Sequence, residues 1–481
     1  MAFDYDVIIL GSGPAGFSCA MQSTKFDKKV LIVEADASSL GGTWLQKGTV
    51  PSKALREAAS LIQKFHTQFG DERGRKPYEK FRMEDLLVYK RAILESKNKK
   101  VKQDLIKNKL DTARGRGKIL DAHTIEVSDQ LKKKTTYTAE NILISTGSSP
   151  KSPENFEIDN KNLLNYDSIL DLTHIPRRLV IVGSGVIAFE YATIFAALGT
   201  RITLLSDTTE ILSFLDSEIK DELISILKKS NIQIFWESKV TKVNRNDLRT
   251  CMEVTFTQKS DDRKHVSETD HILYVGGKTP NTKNLWSDEL DLDVDENGYI
   301  AVDDKMQTSV PSIYAAGDVV GDPSSAAASF VQGRMASCNM FDMPKDSPSG
   351  ETPFGIYSIP EISAIGLTEK KAKEMGIDVT VGRALYENTT QANVSYESEG
   401  LLKLVFRTDD LKLLGVHIIG SQATDLIHLG QAVMAQGGDI KYFIENVLNY
   451  PTYSETYRIA AFNGVNRVYK AGVKYKNILD T

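Results

Sequence analysis

The sequence predicts an α/β fold with two parallel-sheet units of the same design and a C-terminal α+β domain. Three observations lead there. An apolar run, Asp6 to Leu10, ends in Gly11-Ser12-Gly13-Pro14-Ala15-Gly16. A second run, Leu179 to Val182, ends in Gly183-Ser184-Gly185-Val186-Ile187-Ala188. Beyond residue 346, strand-like stretches (LLKLVF, LLGVHIIG) alternate with helical ones.

In the first unit, DVIIL reads as a strand buried on both faces. The glycine turn that follows meets specific demands. Gly11 permits the tight turn, Gly13 lets backbone approach a pyrophosphate, and Gly16 lets helix and strand pack closely. The helix N-terminus presents free N–H groups and the positive end of its dipole. A second strand, Val30 to Val33, ends in Glu34, placed to accept hydrogen bonds from a ribose diol. The unit is a Rossmann-like dinucleotide-binding fingerprint.

The second unit repeats this order. Helix FEYATIFAALG follows its glycine turn, and strand Ile202 to Leu205 follows the helix. Counting from Ala188, Ser206 falls where Glu34 falls counting from Gly16. A whole binding module is therefore repeated. Ser206 is neutral, and residues 206–210 contain no base to hold a 2′-phosphate. The sequence thus leans to NAD, with Asp207 as a substitute acid, and leaves NAD against NADP open.

Composition bounds the remaining choices. The chain has 481 residues, 41% hydrophobic and 26% charged, as in an ordinary multidomain soluble protein. A net charge of -5 offers no basic surface for nucleic acid. No apolar run is long enough to span a bilayer, and the first residues do not read as a signal peptide. The three cysteines, Cys19, Cys251 and Cys338, are far apart, which fits a reducing, cytoplasmic setting. They argue against a zinc site, and no metal is expected. Cys19 and Cys338 read as buried small hydrophobes.

Together these motifs carry a resemblance. Two such units, with Gly41-Gly42-Thr43 and Pro51-Ser52-Lys53 between them, resemble the flavoprotein family of dihydrolipoamide dehydrogenase and glutathione reductase. Ser145-Thr146-Gly147-Ser148 resembles the exit from the family's FAD domain. Gly277-Lys278-Thr279-Pro280-Asn281 resembles the return, with Lys278 where Arg is usual. TSVPSIYAAGD (308–318) resembles the second FAD motif. FGIYSIPEISAIGLTE (354–369) and NYPTYSETYRIAAFNG (449–464) are most similar to the soluble pyridine nucleotide transhydrogenase branch.

The resemblance implies FAD and NAD(P) as cofactors. It implies FAD contacts at Gly11 to Gly16, Glu34, Gly42, Thr43, Lys53, Gly117, Thr146, Gly147, Gly317, Asp318 and Ala326, and a cofactor contact at Gly277. It implies NAD(P) contacts at Gly183, Gly185, Val186, Ile187 and Ser206. Lys53 and Glu190 are the catalytic pair, set near flavin N5, where a cation would stabilise negative charge on the reduced ring. A charge inside so apolar a helix as Glu190's needs a partner, and Lys53 is the natural one. Organisation follows: 1–150 and 284–345 as the FAD-binding domain, 151–283 as the NAD(P)-binding domain, and 346–481 as a dimerisation domain. A homodimer is expected, with Tyr450 and Glu455 reaching the partner subunit's flavin.

The departures from the family decide the chemistry. Its disulfide reductases carry two cysteines before the Pro-Ser-Lys; here Trp44 and Thr49 stand there. Its acid/base histidine is replaced by Tyr450. Without a dithiol no thiolate can attack a disulfide. Electrons reaching the flavin must therefore leave to a second nicotinamide or another acceptor. Transhydrogenation is the leading expectation. NAD(P)H diaphorase or quinone reductase activity is the alternative, and a binding or sensing role the third. Two residues keep two readings each: Trp44 as a ring beside the flavin or a core aromatic, and Val186 as an open gate or plain helix packing. Two long helices are expected, Pro51 to Phe69 and Met83 to Lys109, with a solvated charged loop between them.

Overall fold

The computed structural model describes residues 3–36, 40–69, 82–246, 251–260, 263–344 and 351–470. The predicted charged loop lies outside them except for Arg82. The flanking helices run Thr49–Phe69 and Met83–Lys107. The second ends two residues earlier than expected, with Lys109 in the left-handed region at φ 54°.

Strand Tyr5–Leu10 lies at the heart of a seven-stranded sheet, parallel to Val30–Glu34 on one side and Lys134–Ile144 on the other. Val7, Ile8 and Ile9 have no exposed surface, which is why this strand is an unbroken apolar run. Helix Pro14–Thr24 starts with proline at its first turn, where no amide donor is needed. It packs against helix Ala326–Met340 so closely that a Cβ on Gly333 would stand 2.0 Å from the Ala15 carbonyl oxygen.

The second unit builds a five-stranded sheet in which Arg178–Val182 lies between Arg201–Leu205 and His271–Tyr274, all parallel. Helix Val186–Ala197 follows its glycine turn. The segments leading out of and back into the first sheet, Ser148–Pro150 and Lys278–Pro280, pair antiparallel. Strand Ile313–Ala315 then joins the first sheet beside Lys134–Ile144. The C-terminal part is an antiparallel five-stranded sheet running from Phe354–Ile356 to Val379–Leu385. Helices Ala423–Ala435 and Glu455–Lys470 follow in this part of the chain.

A buried ionic cluster joins the C-terminal sheet to the second unit. Lys403 has no exposed surface, and its Nζ lies 3.0 Å from Asp216, 2.6 Å from Glu218 and 2.8 Å from Glu369. Arg383 also binds Glu218. Buried charges of this kind are tolerated because each has partners. Among the described residues, no helix is long and apolar enough to cross a membrane.

Candidate functional site

A cavity of about 1730 Å³ opens between the two glycine turns and the start of the C-terminal part. That exceeds the roughly 300–1,000 Å³ of an ordinary small-molecule pocket and suits long ligands. From the first turn, Gly11, Ser12, Gly13, Pro14 and Ala15 line it, with Glu34, Gly42, Thr43, Lys53, Gly117, Thr146 and Gly147. Gly317, Asp318 and Ala326 line it from the returning segment, and Val186, Ile187 and Glu190 from the second unit. Five expected residues are not in its wall: Gly16, Gly183, Gly185, Ser206 and Gly277.

The first turn fits the pyrophosphate of FAD. A Cβ on Gly16 would stand 2.0 Å from the Gly11 carbonyl oxygen, so Gly16 serves packing. A Cβ on Gly13 would meet nothing within 4 Å. The space above Gly13 is thus open beside the helix N-terminus, where an anion is best held. Glu34 is tied to this turn: its Oε2 accepts from the Ser12 amide at 3.0 Å and the Ser12 hydroxyl at 2.6 Å. Asp318 accepts from Lys278 at 2.8 Å and Ser148 at 3.0 Å. Burial pushes its carboxyl up, but Lys278 and the Ser324 and Ser148 hydroxyls outweigh this and hold it below the usual range.

Lys53 and Glu190 meet in the cavity wall, Nζ to Oε2 at 2.7 Å. Helix Thr49–Phe69 starts two residues before the expected Pro51, and Lys53 is its fifth residue. Glu190 is 7% exposed in an otherwise apolar helix. Its other oxygen accepts the Tyr357 amide at 2.9 Å, and the Lys53 ammonium lies 4.6 Å from the centre of the Tyr357 ring. Ile359 N donates to Thr193 at 3.1 Å, and Arg56 pairs with Glu361 at 3.1 Å. Residues 357–361 thereby clamp the helices that carry the pair.

Tyr357 was not legible in the sequence, which gave no spacing to link it to Lys53. Asp167 also lines the cavity without a sequence signal. Burial raises its carboxyl above the usual range, with Lys47 opposing and Asp171 adding.

No thiol reaches the cavity. Cys19, Cys251 and Cys338 form no disulfide, and all three are buried and outside its wall. Trp44 and Thr49 line it instead. The Trp44 ring meets Phe330 edge-on at 5.5 Å, and its buried Nε1 has no hydrogen-bond partner among the described residues. Trp44 is therefore both packed and in the wall. Tyr450 is 68% exposed and bonds Thr390 at 2.6 Å; neither it nor Glu455 lines this cavity.

In the second turn a Cβ on Gly185 would meet nothing within 4 Å, as at Gly13. Ser206 is fully buried, and its hydroxyl donates to the Thr208 carbonyl at 2.9 Å. Asp207, one residue on, accepts from Ser184 at 3.0 Å.

The family model for pyridine nucleotide-disulphide oxidoreductases matches residues 5–333, and the model for that family's dimerisation domain matches 352–461. A soluble pyridine nucleotide transhydrogenase from Marinomonas sp. is 39% identical, covering 97% of this chain and 99% of the relative. A transhydrogenase so named from Mycobacterium bovis is 38% identical over 97% of this chain and 98% of the relative. One from Pseudomonas aeruginosa is 36% identical over 97% and 99%. Among solved structures, LpdA from Mycobacterium tuberculosis superposes with a TM-score of 0.86 at 22% identity, over 95% of this chain and 98% of that one. The HOCl-induced flavoprotein disulfide reductase RclA from Escherichia coli gives 0.85 at 22%, over 95% and 99%. These two likenesses establish the fold. With both family models matched in order, this chain belongs to the pyridine nucleotide-disulphide oxidoreductases, enzymes that use FAD and NAD(P), and it carries their dimerisation domain.

Proposed function

We propose that the protein is a transhydrogenase that exchanges hydride between NADPH or NADH and NAD+ or NADP+, with no redox disulfide. The observation that carries this is the cavity itself. It holds the Lys53–Glu190 pair but no cysteine, and Trp44 and Thr49 stand where a dithiol would. Relatives that match over nearly their full length bear the transhydrogenase name.

When bound, the flavin supplies a two-electron acceptor and donor between the dinucleotides. The chain supplies position and charge. The open space over Gly13 and the helix start at Pro14 hold the FAD pyrophosphate, and Glu34 takes its ribose. Asp318, kept ionised by Lys278, holds the hydroxylated chain. The Gly185 turn holds the second pyrophosphate, and Val186 leaves the nicotinamide room. Lys53 keeps a positive charge at the cavity wall, where it stabilises negative charge that develops on reduction. Glu190 and the Tyr357 ring hold that ammonium in place. No side chain needs to deliver a proton, so Tyr450 in place of a histidine is no obstacle.

In this reading 1–150 and 284–345 form the FAD-binding domain, 151–283 the NAD(P)-binding domain and 346–481 the dimerisation domain of a cytoplasmic homodimer. Three buried cysteines outside any disulfide agree with a reducing compartment. The test is an acceptor screen on purified holoenzyme. Fast reduction of an NAD+ analogue by NADPH, with parallel double-reciprocal lines, is expected. No such transfer, with rapid quinone or dye reduction instead, overturns it in favour of a diaphorase.

A further inference from the structure

We infer that Phe214, held edge-on by Phe354, is an aromatic lip that grips the nicotinamide half of a bound dinucleotide and positions it for hydride transfer. This role rests on the proposed function and deepens it by adding a positioning residue to the nicotinamide site.

Phe214 belongs to the loop 206–216, between strand Arg201–Leu205 and helix Ser217–Lys229. The loop is fixed at both ends. Asp207 accepts from the Ser184 hydroxyl of the second glycine turn at 3.0 Å. Asp216 caps the next helix, accepting the Glu218 amide at 3.1 Å, and lies 3.0 Å from the buried Lys403 ammonium. Between these ends Ile211, Leu212 and Leu215 are buried. Of the loop's apolar residues Phe214 alone turns outward, 53% exposed, and it lines the cavity. A loop anchored in this way offers the ring in a set direction.

The Phe214 ring meets that of Phe354, also in the cavity wall, edge-on at 4.7 Å and 88°. Phe354 opens strand Phe354–Ile356, and the next residue, Tyr357, gives its amide to Glu190 at 2.9 Å. Three residues of extended chain span about 10 Å, so the Phe354 backbone stands about that far from the Lys53–Glu190 pair. The loop therefore runs from the glycine turn that holds the second pyrophosphate to the end of the cavity where hydride moves. The nicotinamide riboside of a bound dinucleotide lies between those two points. Its flat ring and the apolar edge of its ribose suit an aromatic wall. Covering the exposed half of the Phe214 ring contributes about three- to tenfold in affinity.

The test is anaerobic stopped-flow reduction of the bound flavin by whichever of NADH and NADPH reduces it faster. This half-reaction needs no further electron acceptor, so failure of the transhydrogenase reading would show in the acceptor screen and not here. Phe214→Ala should raise the apparent Kd of the reduced dinucleotide about three- to tenfold and slow the limiting rate by a smaller factor. Phe214→Tyr keeps the ring and should keep native values. AMP, which lacks the nicotinamide half, should compete equally well in the native protein and in Phe214→Ala. An unchanged Kd in Phe214→Ala overturns the inference. So does an equal loss of AMP affinity, which would make the ring a structural prop of its loop. A dimer that dissociates more readily in Phe214→Ala also overturns it, because the ring would then belong to the subunit interface.

Discussion

Gly13→Ala should leave the protein folded and weaken its hold on FAD. Gly13 has φ -62° and ψ -176°, which alanine adopts freely, and the added Cβ meets nothing within 4 Å. The substitution therefore adds no strain to the cofactor-free protein. The methyl instead enters the space kept for the pyrophosphate. An overfilled contact costs about 1–3 kcal/mol, or about 5- to 150-fold in Kd. Gly16→Ala is the contrasting control. Its Cβ would stand 2.0 Å from the Gly11 oxygen and 2.6 Å from Ser145 Oγ, so it should damage the fold itself. Two measurements separate the cases: thermal unfolding of the cofactor-free proteins, because bound FAD would mask differences, and titration of each with FAD followed by flavin fluorescence. If Gly13→Ala binds FAD as tightly as the native protein, the open space over Gly13 is not where the pyrophosphate sits. If its cofactor-free form melts far below the native one, the geometry at the turn is wrong.

Further outcomes are expected elsewhere. Glu190→Gln leaves the Lys53 ammonium with a neutral partner and should slow flavin reduction by NADH about 10- to 100-fold in stopped-flow absorbance; an unchanged rate would remove the pair from the mechanism. Tyr357→Leu removes the ring beside Lys53 and should slow the same step by a smaller factor, on the order of fivefold, as loss of one cation–π contact suggests. Lys403→Met leaves the buried Asp216 without its cation, while Glu218 keeps Arg383 and Glu369 keeps Lys373, and should cost about 3–5 kcal/mol in urea unfolding; a loss under 1 kcal/mol would deny the cluster its structural role. The same cluster sets an acid limit. Hydrogen bonding from Arg383, then from Lys403, pulls the Glu218 carboxyl down to about 2 from 4.5. A lowered folded-state value means this stabilisation is complete above about pH 4.5 and fades as pH falls toward 2. Native stability should drop through that window, and Glu218→Gln should flatten the drop.

Much of this protein was written locally. Gly11 to Gly16 is legible because the tight turn, the helix start and the strand before it are set by immediate chain neighbours. The same holds at Gly183 to Ala188. The repeated order of strand, turn, helix and strand carried the parallel sheets with it, since strands so apolar must be buried on both faces. The absence of a dithiol at Trp44 and Thr49 was a matter of residue identity alone. A partner for Glu190 could also be foreseen, because a carboxylate in helix VIAFEYATIFAA cannot be buried unpaired.

Other features waited for the tertiary structure. Tyr357 reaches Glu190 across 167 residues of chain, and no spacing rule spans that distance. Lys403 lies in strand Leu401–Arg407, where it interrupts an apolar run, yet it is wholly buried because Asp216 and Glu218 from one segment and Glu369 from another converge on it. The acid of the second turn is the sharpest case. The sequence by itself determined two glycine turns, an acid for the first, and for the second a neutral Ser206 at the matching count with Asp207 beside it as a substitute acid. Only the fold decided that Ser206 turns inward and Asp207 faces Ser184, because the side a residue presents past a strand's end depends on how the chain leaves the sheet, which a residue count does not contain.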